Sequence, residues 1–484
     1  MKFTQMPYER VDFDKVKAEF AELEAGLDKA TSGQEQMEVH RRYYELTGHV
    51  MTQMTLAEIR HDIDTTDEFY SAEQDFYDQN GPVFRNLCVS YQKKLYHSPY
   101  RAYLEERIGK VAFKNIELGM KSVDDKILPL MQEENAIQTE YNKLLATAKI
   151  AWRGETLNLS LMNPYLHSSD RGIRAEAWKK YTAFFEENQE QLDDIYDRLV
   201  KNRTKQGEAM GYENYLPLGD ARMMRNCYDR SDMGEFRKQV KRDFVPFAEK
   251  LHERRRQRLG IDHLLYIDEG VYFPQGNPAP IGTPEEILQA GQKMYRELSK
   301  ETGEFMDFMR ENELFDVLGR KTKKTGGYMT YLPDFGAPFI FANFNGTSGD
   351  ADVITHECGH AFQWYVVKDD PIREHWDITM ETAETHSMSM EFFTEPWMNL
   401  LFGSRAKDYV DMHFEDSMAF IPYGTMVDEF QEIAYQNPGL TPAQRNGVWR
   451  DLERQYKPHL DYTGNAYYEA GGFWQKQHHI YDCP

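Results

Sequence analysis

Two histidines four residues apart, with a glutamate between them, stand at His356-Glu357-Cys358-Gly359-His360. On an α-helix, positions i and i+4 lie one above the other, so both imidazoles can reach a single metal ion. Glu357 then sits about 100° round the helix, beside the ion, where it can take a proton from an attacking water. With 15 histidines in 484 residues, composition alone yields such a match in roughly one chain in twenty, so the motif needs context. Thr347-Ser348-Gly349-Asp350 supplies it as a helix start: N-cap hydroxyls precede Asp350 and Asp352, acids that the helix dipole favours in the first turn. The helix then divides into a polar face (Asp352, His356, His360, Gln363) and an apolar one (Ile354, Cys358, Ala361, Tyr365).

A catalytic zinc needs three protein ligands and an open position. The next helical segment, running from Glu381 to Phe393, offers Glu384, with Met388, Glu391 and Glu395 on the same side and Glu381 as an alternative ligand. Met388, Met390, Phe392 and Phe393 make the segment apolar, so carboxylates within it call for a partner or a metal. His386 falls opposite Glu384 and reads as a packed or hydrogen-bonded ring. Asp352 reads either as a carboxylate supporting a ligand or as part of a salt-bridged helix start.

With these residues placed, the chain resembles the thimet oligopeptidase and oligoendopeptidase F family of zinc metallopeptidases. That family pairs H-E-x-G-H with a Glu about two dozen residues later, then Ser at +3 and Glu at +7. Glu384, Ser387 and Glu391 match that spacing, which favours Glu384 over Glu381. The likeness is dense from about residue 326 onward. It includes Gly326-Gly327-Tyr328, the run 339–350, Phe420-Ile421-Pro422-Tyr423-Gly424 and the run 471–481.

The resemblance implies a mainly α, bilobal, zincin-type body with one Zn²⁺ at the bottom of a deep channel that admits extended oligopeptides. It also implies that His479 polarises the scissile carbonyl, and that Ala342 and Asn343 contact substrate. In relatives the segment after His479 continues into an aromatic stretch bearing a Tyr. Here the sequence stops at Pro484, and Tyr481 does not take the matching place. The expectation is a shortened form lacking the C-terminal end of the family fold. Loss of one oxyanion donor typically costs ~10²–10³ in turnover, which leaves a weak enzyme rather than an inert one.

The function implied is a zinc-dependent oligoendopeptidase that cuts internal bonds of short unstructured peptides, with Glu357 as general base. The alternatives are a zinc exopeptidase and a weakly active or non-catalytic peptide-binding form.

The elements that must hold these residues read mostly as helix. Apolar residues recur at helical spacing from Ile173 to Leu199, and Thr283-Pro284-Glu285-Glu286 and Thr441-Pro442-Ala443-Gln444 are capped helix starts. Strand signals cluster before the metal helix, at 328–332 and 339–344. They predict a small sheet beside the zinc, one of whose strands is an edge able to pair with a peptide. Residues 261–282, rich in Pro and Gly, read as a long exposed connection between an N-terminal helical lobe (1–260) and a catalytic lobe (283–484).

Composition excludes other classes. Forty per cent hydrophobic content supports a sizeable core, and a net charge of −23 argues against nucleic-acid and anionic-membrane partners. Arg254-Arg255-Arg256 reads as a solvated helix face. No apolar leader is visible near Met1, and Cys88, Cys227, Cys358 and Cys483 show no disulfide or metal spacing. A reducing, cytoplasmic setting follows as the expectation, with Cys358 packed away from the two rings.

Overall fold

The computed structural model describes residues 1–482. Cys483 and Pro484 lie outside it, and with them one of the four cysteines and the end of the 479–484 segment. The chain is mainly α with two small sheets, and the capped starts are realised. The Thr283 and Thr441 hydroxyls accept the N–H groups of Glu286 and Gln444 and open the helices Pro284–Leu298 and Pro442–Tyr456. The periodic run after Ile173 forms two helices, Arg171–Glu187 and Gln189–Met210. Between them the Asn188 amide turns back to donate to the Phe184 carbonyl at 2.7 Å.

Among the described residues three large hydrophobic cores, beside a small cluster of Val123, Ile127 and Met131, organise the molecule, and they do not follow chain order. The first joins Phe13–Lys29, Gly33–Ile63 and Glu68–Tyr96 through Phe20, Tyr43, Phe84 and Tyr91. The second packs Gln189–Met210 against distant sequence, bringing Tyr196, Phe430, Trp449, Trp474 and Tyr481 together. The third lies under the helical stretch 349–367, which carries His356 and His360, and holds Met294, Phe305, Phe339, Phe341, Ile354 and Cys358. The 31-residue helix Ala406–Gln436 threads two of them, with Tyr409 and Met412 in the third core and Met426 and Phe430 in the second.

The expected small sheet is present with one strand more than expected: Ala337–Phe344 runs between Phe315–Leu318 (parallel) and Tyr328–Leu332 (antiparallel). Tyr328–Leu332 is therefore an edge, whereas the strand carrying Ala342 and Asn343 is the central one. A two-stranded hairpin, Ile150–Trp152 with Glu155–Leu157, was not legible as a period-two pattern because each strand has only three residues.

Two expectations are corrected. The segment 261–282 is not an exposed connection: Tyr266, Ile267, Val271, Tyr272 and Phe273 are buried, so it contributes to the cores it joins. The arginine run is not wholly a solvated face either. Arg255 is 1 % exposed, with its guanidinium 3.7 Å from the centre of the Tyr272 ring and 3.4 Å from Glu415. Among the described residues Cys88, Cys227 and Cys358 are free thiols, and no helix is long and apolar enough to cross a membrane.

The second core is pinned by buried charge. Arg203 donates to Glu134 at 2.6 Å, to the Tyr435 hydroxyl at 2.8 Å and to the Tyr481 carbonyl, while Arg222 reaches the other Glu134 oxygen at 3.1 Å. Burial alone would raise the Glu134 pKa, but Arg222 and Arg203 hold it at about 2, against an ordinary 4.5. The folded value lies below the unfolded one, so the stabilisation is full above about pH 4.5 and is lost as pH falls toward 2. Glu134→Gln should cost about 3–5 kcal/mol at neutral pH, because it strands two buried guanidinium groups. It should also flatten the acid limb of stability between those pH values. Urea unfolding at a series of pH values reads both.

Candidate metal centre

The metal helix is set up by the strand before it. Ala337–Phe344 ends in a turn where Gly346 takes φ +80°, a left-handed conformation that side chains disfavour. The buried Asp350 carboxylate accepts the backbone N–H groups of Asn345 and Gly346, each at 2.9 Å. Asp350 ties the turn instead of the expected Ser348 hydroxyl, which makes no cap hydrogen bond. Residues 349–367 then run as one helical rod whose middle, Val353–Glu357, is a π-helical turn. Ile354, Cys358 and Ala361 face the third core, as their spacing predicts.

The second ligand-bearing helix, Met380–Thr394, approaches until backbones touch. A Cβ placed on Gly359 would lie 2.6 Å from Ser387 Cα and 2.8 Å from the His386 carbonyl oxygen. The glycine inside the motif is the reason the two helices can lie this close.

That approach brings His356, His360 and Glu384 together. Nε2 of His356 lies 3.1 Å from Glu384 Oε2, Nε2 of His360 lies 3.6 Å from the same oxygen, and all three potential donors fall within 4.8 Å of one another. The two rings stand nearly perpendicular, at 83° and 5.0 Å between centres. Tetrahedral coordination with bonds of 2.0–2.2 Å puts neighbouring donors about 3.4 Å apart, so this spacing fits Zn²⁺. The back of each ligand is also held. His356 Nδ1 meets Glu391 Oε1 at 2.5 Å, and the other Glu391 oxygen bonds His413. His360 Nδ1 meets His386 Nε2 at 3.0 Å, and the Ser387 hydroxyl donates to Glu384 at 2.6 Å. With Nδ1 engaged on each ring, Nε2 is the nitrogen left to face a cation.

The electrostatics divide the cluster into charged and neutral groups. Burial opposes a proton on His356, yet Glu384 and Glu391 raise its pKa to about 10, while burial pushes His360 down to about 4. The hydrogen bond with His356 holds Glu384 at about 2. Burial pushes Glu357 up to about 7, with His356 opposing. Glu357 makes no hydrogen bond among the described residues.

The remaining sequence-derived candidates separate. Glu381 turns away to the Tyr228 hydroxyl, and Arg225 Nε lies 3.9 Å from it. Asp352 does not support His356: it is half-buried and accepts the Tyr409 hydroxyl at 2.6 Å. Ala342 is fully buried, and its carbonyl takes the Lys323 ammonium. The Asn343 amide donates to the carbonyls of Lys324 and Gly326 at 2.9 and 2.8 Å. His479 is exposed and lines a cavity of about 260 Å³ with Met380, Phe420 and Tyr423. Its Nδ1 meets the Gln477 amide at 2.8 Å, and Gln477 is fixed in turn by the Tyr423 hydroxyl at 2.6 Å. Tyr481 is buried, stacked on Tyr141 at 3.7 Å. His413 and Tyr409 were missed; their signal was a pair at i, i+4 on one helix face, within a stretch that also carries Asp408, Asp411, Glu415 and Asp416.

A second group, His252, Glu269 and His459, also has potential donors within 4.8 Å of one another. Its two rings lie flat on each other at 3.4 Å, so their in-plane lone pairs cannot converge. Glu269 is already held by the Lys457 ammonium at 2.5 Å. Burial drives the His252 pKa down to about 2, as expected for a packed neutral ring.

Comparison with known proteins identifies the family and the fold. Residues 3–123 match a profile described as the Peptidase M3 N-terminal domain, and residues 299–484 match one described as Peptidase family M3. A crystal structure assigned as oligoendopeptidase F is 46% identical with a TM-score of 0.99; the match covers 100% of this chain and 86% of that one. PZ peptidase A, solved with an inhibitor, is 46% identical with a TM-score of 0.98 over the same shares. A Bacillus anthracis (strain Ames) protein assigned as oligoendopeptidase F is 42% identical, with a TM-score of 0.93 over 98% of this chain and 87% of that one. No curated protein matches the chain.

Two substitutions test the centre. Gly359→Ala should force the ligand helices apart, destabilising by about 1–3 kcal/mol and lowering divalent-cation retention. Glu391→Gln should keep the fold and weaken cation affinity about 10–100-fold, read by metal analysis against a graded chelator.

Proposed function

The chain belongs to peptidase family M3, and from that premise we propose that it is a zinc-dependent oligoendopeptidase acting on internal bonds of short unstructured peptides. The observation that supports this most directly is the convergence of two imidazole nitrogens and one carboxylate oxygen at coordination spacing, with Glu357 beside them. His356, His360 and Glu384 would hold one Zn²⁺. Bound there, the ion would supply Lewis acidity to the scissile carbonyl and lower the pKa of the attacking water.

The chain's own groups do the rest. Glu357, with no competing hydrogen bond, would accept the proton of the attacking water and later return it to the leaving amine. His479 would donate from Nε2 to the developing oxyanion. The relay from the Tyr423 hydroxyl through the Gln477 amide to Nδ1 supports that tautomer. Glu391 and His386 would keep the ligand rings oriented, so that substrate meets a centre already in place. Ala342 and Asn343 sit on a strand whose backbone is already paired, so pairing with an extended peptide would fall to the Tyr328–Leu332 edge.

The test is a quenched-fluorescent peptide blocked at both ends. The parent protein should cleave it internally and lose that activity to a chelator. Glu357→Gln should lower turnover by at least ~10²–10⁴ while metal content stays at the parent level. Hydrolysis by the variant at the parent rate would refute the general-base role. Release of single terminal residues from unblocked peptides alone would assign an exopeptidase instead.

A further inference from the structure

A cavity of about 730 Å³, within the range of ligand-binding cavities, adjoins the support of the metal centre. One part of its wall is Asp352, Tyr409 and His413, of which His413 bonds the carboxylate that holds His356. The lining also includes Trp178, Phe473 and Lys476. Three cations line the cavity, and two are already matched. Lys457 lies 2.5 Å from Glu269, and Arg255 lies 3.4 Å from Glu415 and stacks on Tyr272.

Lys476 is different. Among the described residues it has no carboxylate within 4.0 Å and no hydrogen-bond acceptor; its partly exposed side chain places the ammonium 3.9 Å from the centre of the Phe473 ring and 5.4 Å from that of Trp178, and Glu269 acts on it from farther off. Burial pushes its pKa down to about 8. Ring faces satisfy an ammonium only in part, and an anion would complete the site. The chain's net charge of −23 gives an acidic ligand no help from the overall field, so recognition must be local.

The position of the lysine says which anion. Gln477, Phe420 and Tyr423 line both this cavity and the neighbouring one that holds His479. Lys476 and His479 thus lie on one short segment that passes from one cavity to the next. A peptide carbonyl at His479 would leave an adjoining part of the same peptide at Lys476.

We propose that Lys476 is a specificity-determining residue that binds a carboxylate of the peptide substrate, either its C-terminal carboxylate or an acidic side chain near the cut. The assignment rests on the peptidase reading above. A charge-assisted hydrogen bond corresponds to about tenfold in affinity.

The experiment uses one peptide sequence in two matched pairs, C-terminal acid against amide and an internal Glu against Gln. The parent should favour the carboxylate-bearing member of one pair by about tenfold in kcat/KM, expressed in KM. The pair that shows the preference identifies the source of the carboxylate. Lys476→Met should bring that ratio to within about twofold of one, and Lys476→Arg should keep most of it. A parent ratio near one in both pairs, or a ratio unchanged in Lys476→Met, overturns the proposal. The parent comparison decides even if Lys476→Met fails to fold.

Fluorescence anisotropy of the same labelled peptides on Glu357→Gln reads binding without turnover. Carboxylate-dependent binding with no hydrolysis by the parent would keep the lysine site and sink the peptidase reading. Hydrolysis with no preference would do the reverse.

Discussion

Contact between two helix backbones at Gly359 and Ser387 is the constraint on which the rest of the molecule depends. The two histidines come from one helix and the glutamate from another, so their donors converge on one point only where the two helices are held at a fixed, close separation. Removing the Cβ at Gly359 lets the second helix settle until Ser387 Cα occupies that space. Glu384 then reaches both Nε2 atoms with one oxygen. Ser387 serves twice in this arrangement, as the backbone surface that Gly359 meets and as the hydroxyl that orients Glu384.

A third helix locks that contact. Tyr409 and His413 stand four residues apart on Ala406–Gln436 and therefore share a face. Each grips a carboxylate on a different ligand helix. Tyr409 holds Asp352 on the first, and His413 holds Glu391 on the second, which in turn holds His356. The two ligand helices are thus cross-linked through polar groups, and the carboxylates that burial would otherwise make expensive are paired. The same long helix continues into the second core, where Tyr435 accepts from Arg203. Order at the candidate centre is in this way tied to packing that lies well outside it.

What the sequence made legible was local. The i, i+4 histidines, the capped starts at Thr283 and Thr441 and the two aromatic strands each depend on neighbours within a few residues, and spacing reports such relations directly. Glu384 was selected over Glu381 by resemblance, since both lie on the same helical segment and periodicity does not separate them. In the structure the difference is concrete: Glu381 turns to Tyr228, outside the cluster. Relations spanning tens to hundreds of residues left no pattern. His413 is 57 residues from His356, and Arg255 reads as one charge in a basic run although it packs on Tyr272 and reaches Glu415. The segment 261–282 misled for a related reason. Its Pro and Gly residues correctly signalled irregular backbone, but irregular backbone can be buried when Tyr, Phe and Val side chains carry it inward.

The misreading of Asp352 has a sharper cause, and it explains how the metal helix works. On an uninterrupted α-helix Asp352 and His356 would stand on one face, and Asp352 would be the natural support for the imidazole. The π-helical turn Val353–Glu357 intervenes. A wider turn holds roughly one extra residue, so it rotates the stretch before it by about 100° relative to the stretch after it. Asp352 is thereby aimed at Tyr409, and Glu391 takes the place behind His356. Such a turn leaves backbone carbonyls short of their usual partners, and here side chains meet them. The Tyr295 hydroxyl donates to the Ile354 carbonyl at 2.8 Å, and the Thr355 hydroxyl reaches the carbonyls of Ala351 and Asp352 at 3.2 Å. Tyr295 lies four residues beyond Gly291, where a Cβ would fall 2.7 Å from the Ile354 side chain. One face of Pro284–Leu298 therefore supplies both the space and the hydrogen bond that the wide turn requires. The ligand spacing is written in the motif, but the direction in which those ligands point is set by a helix some sixty residues upstream.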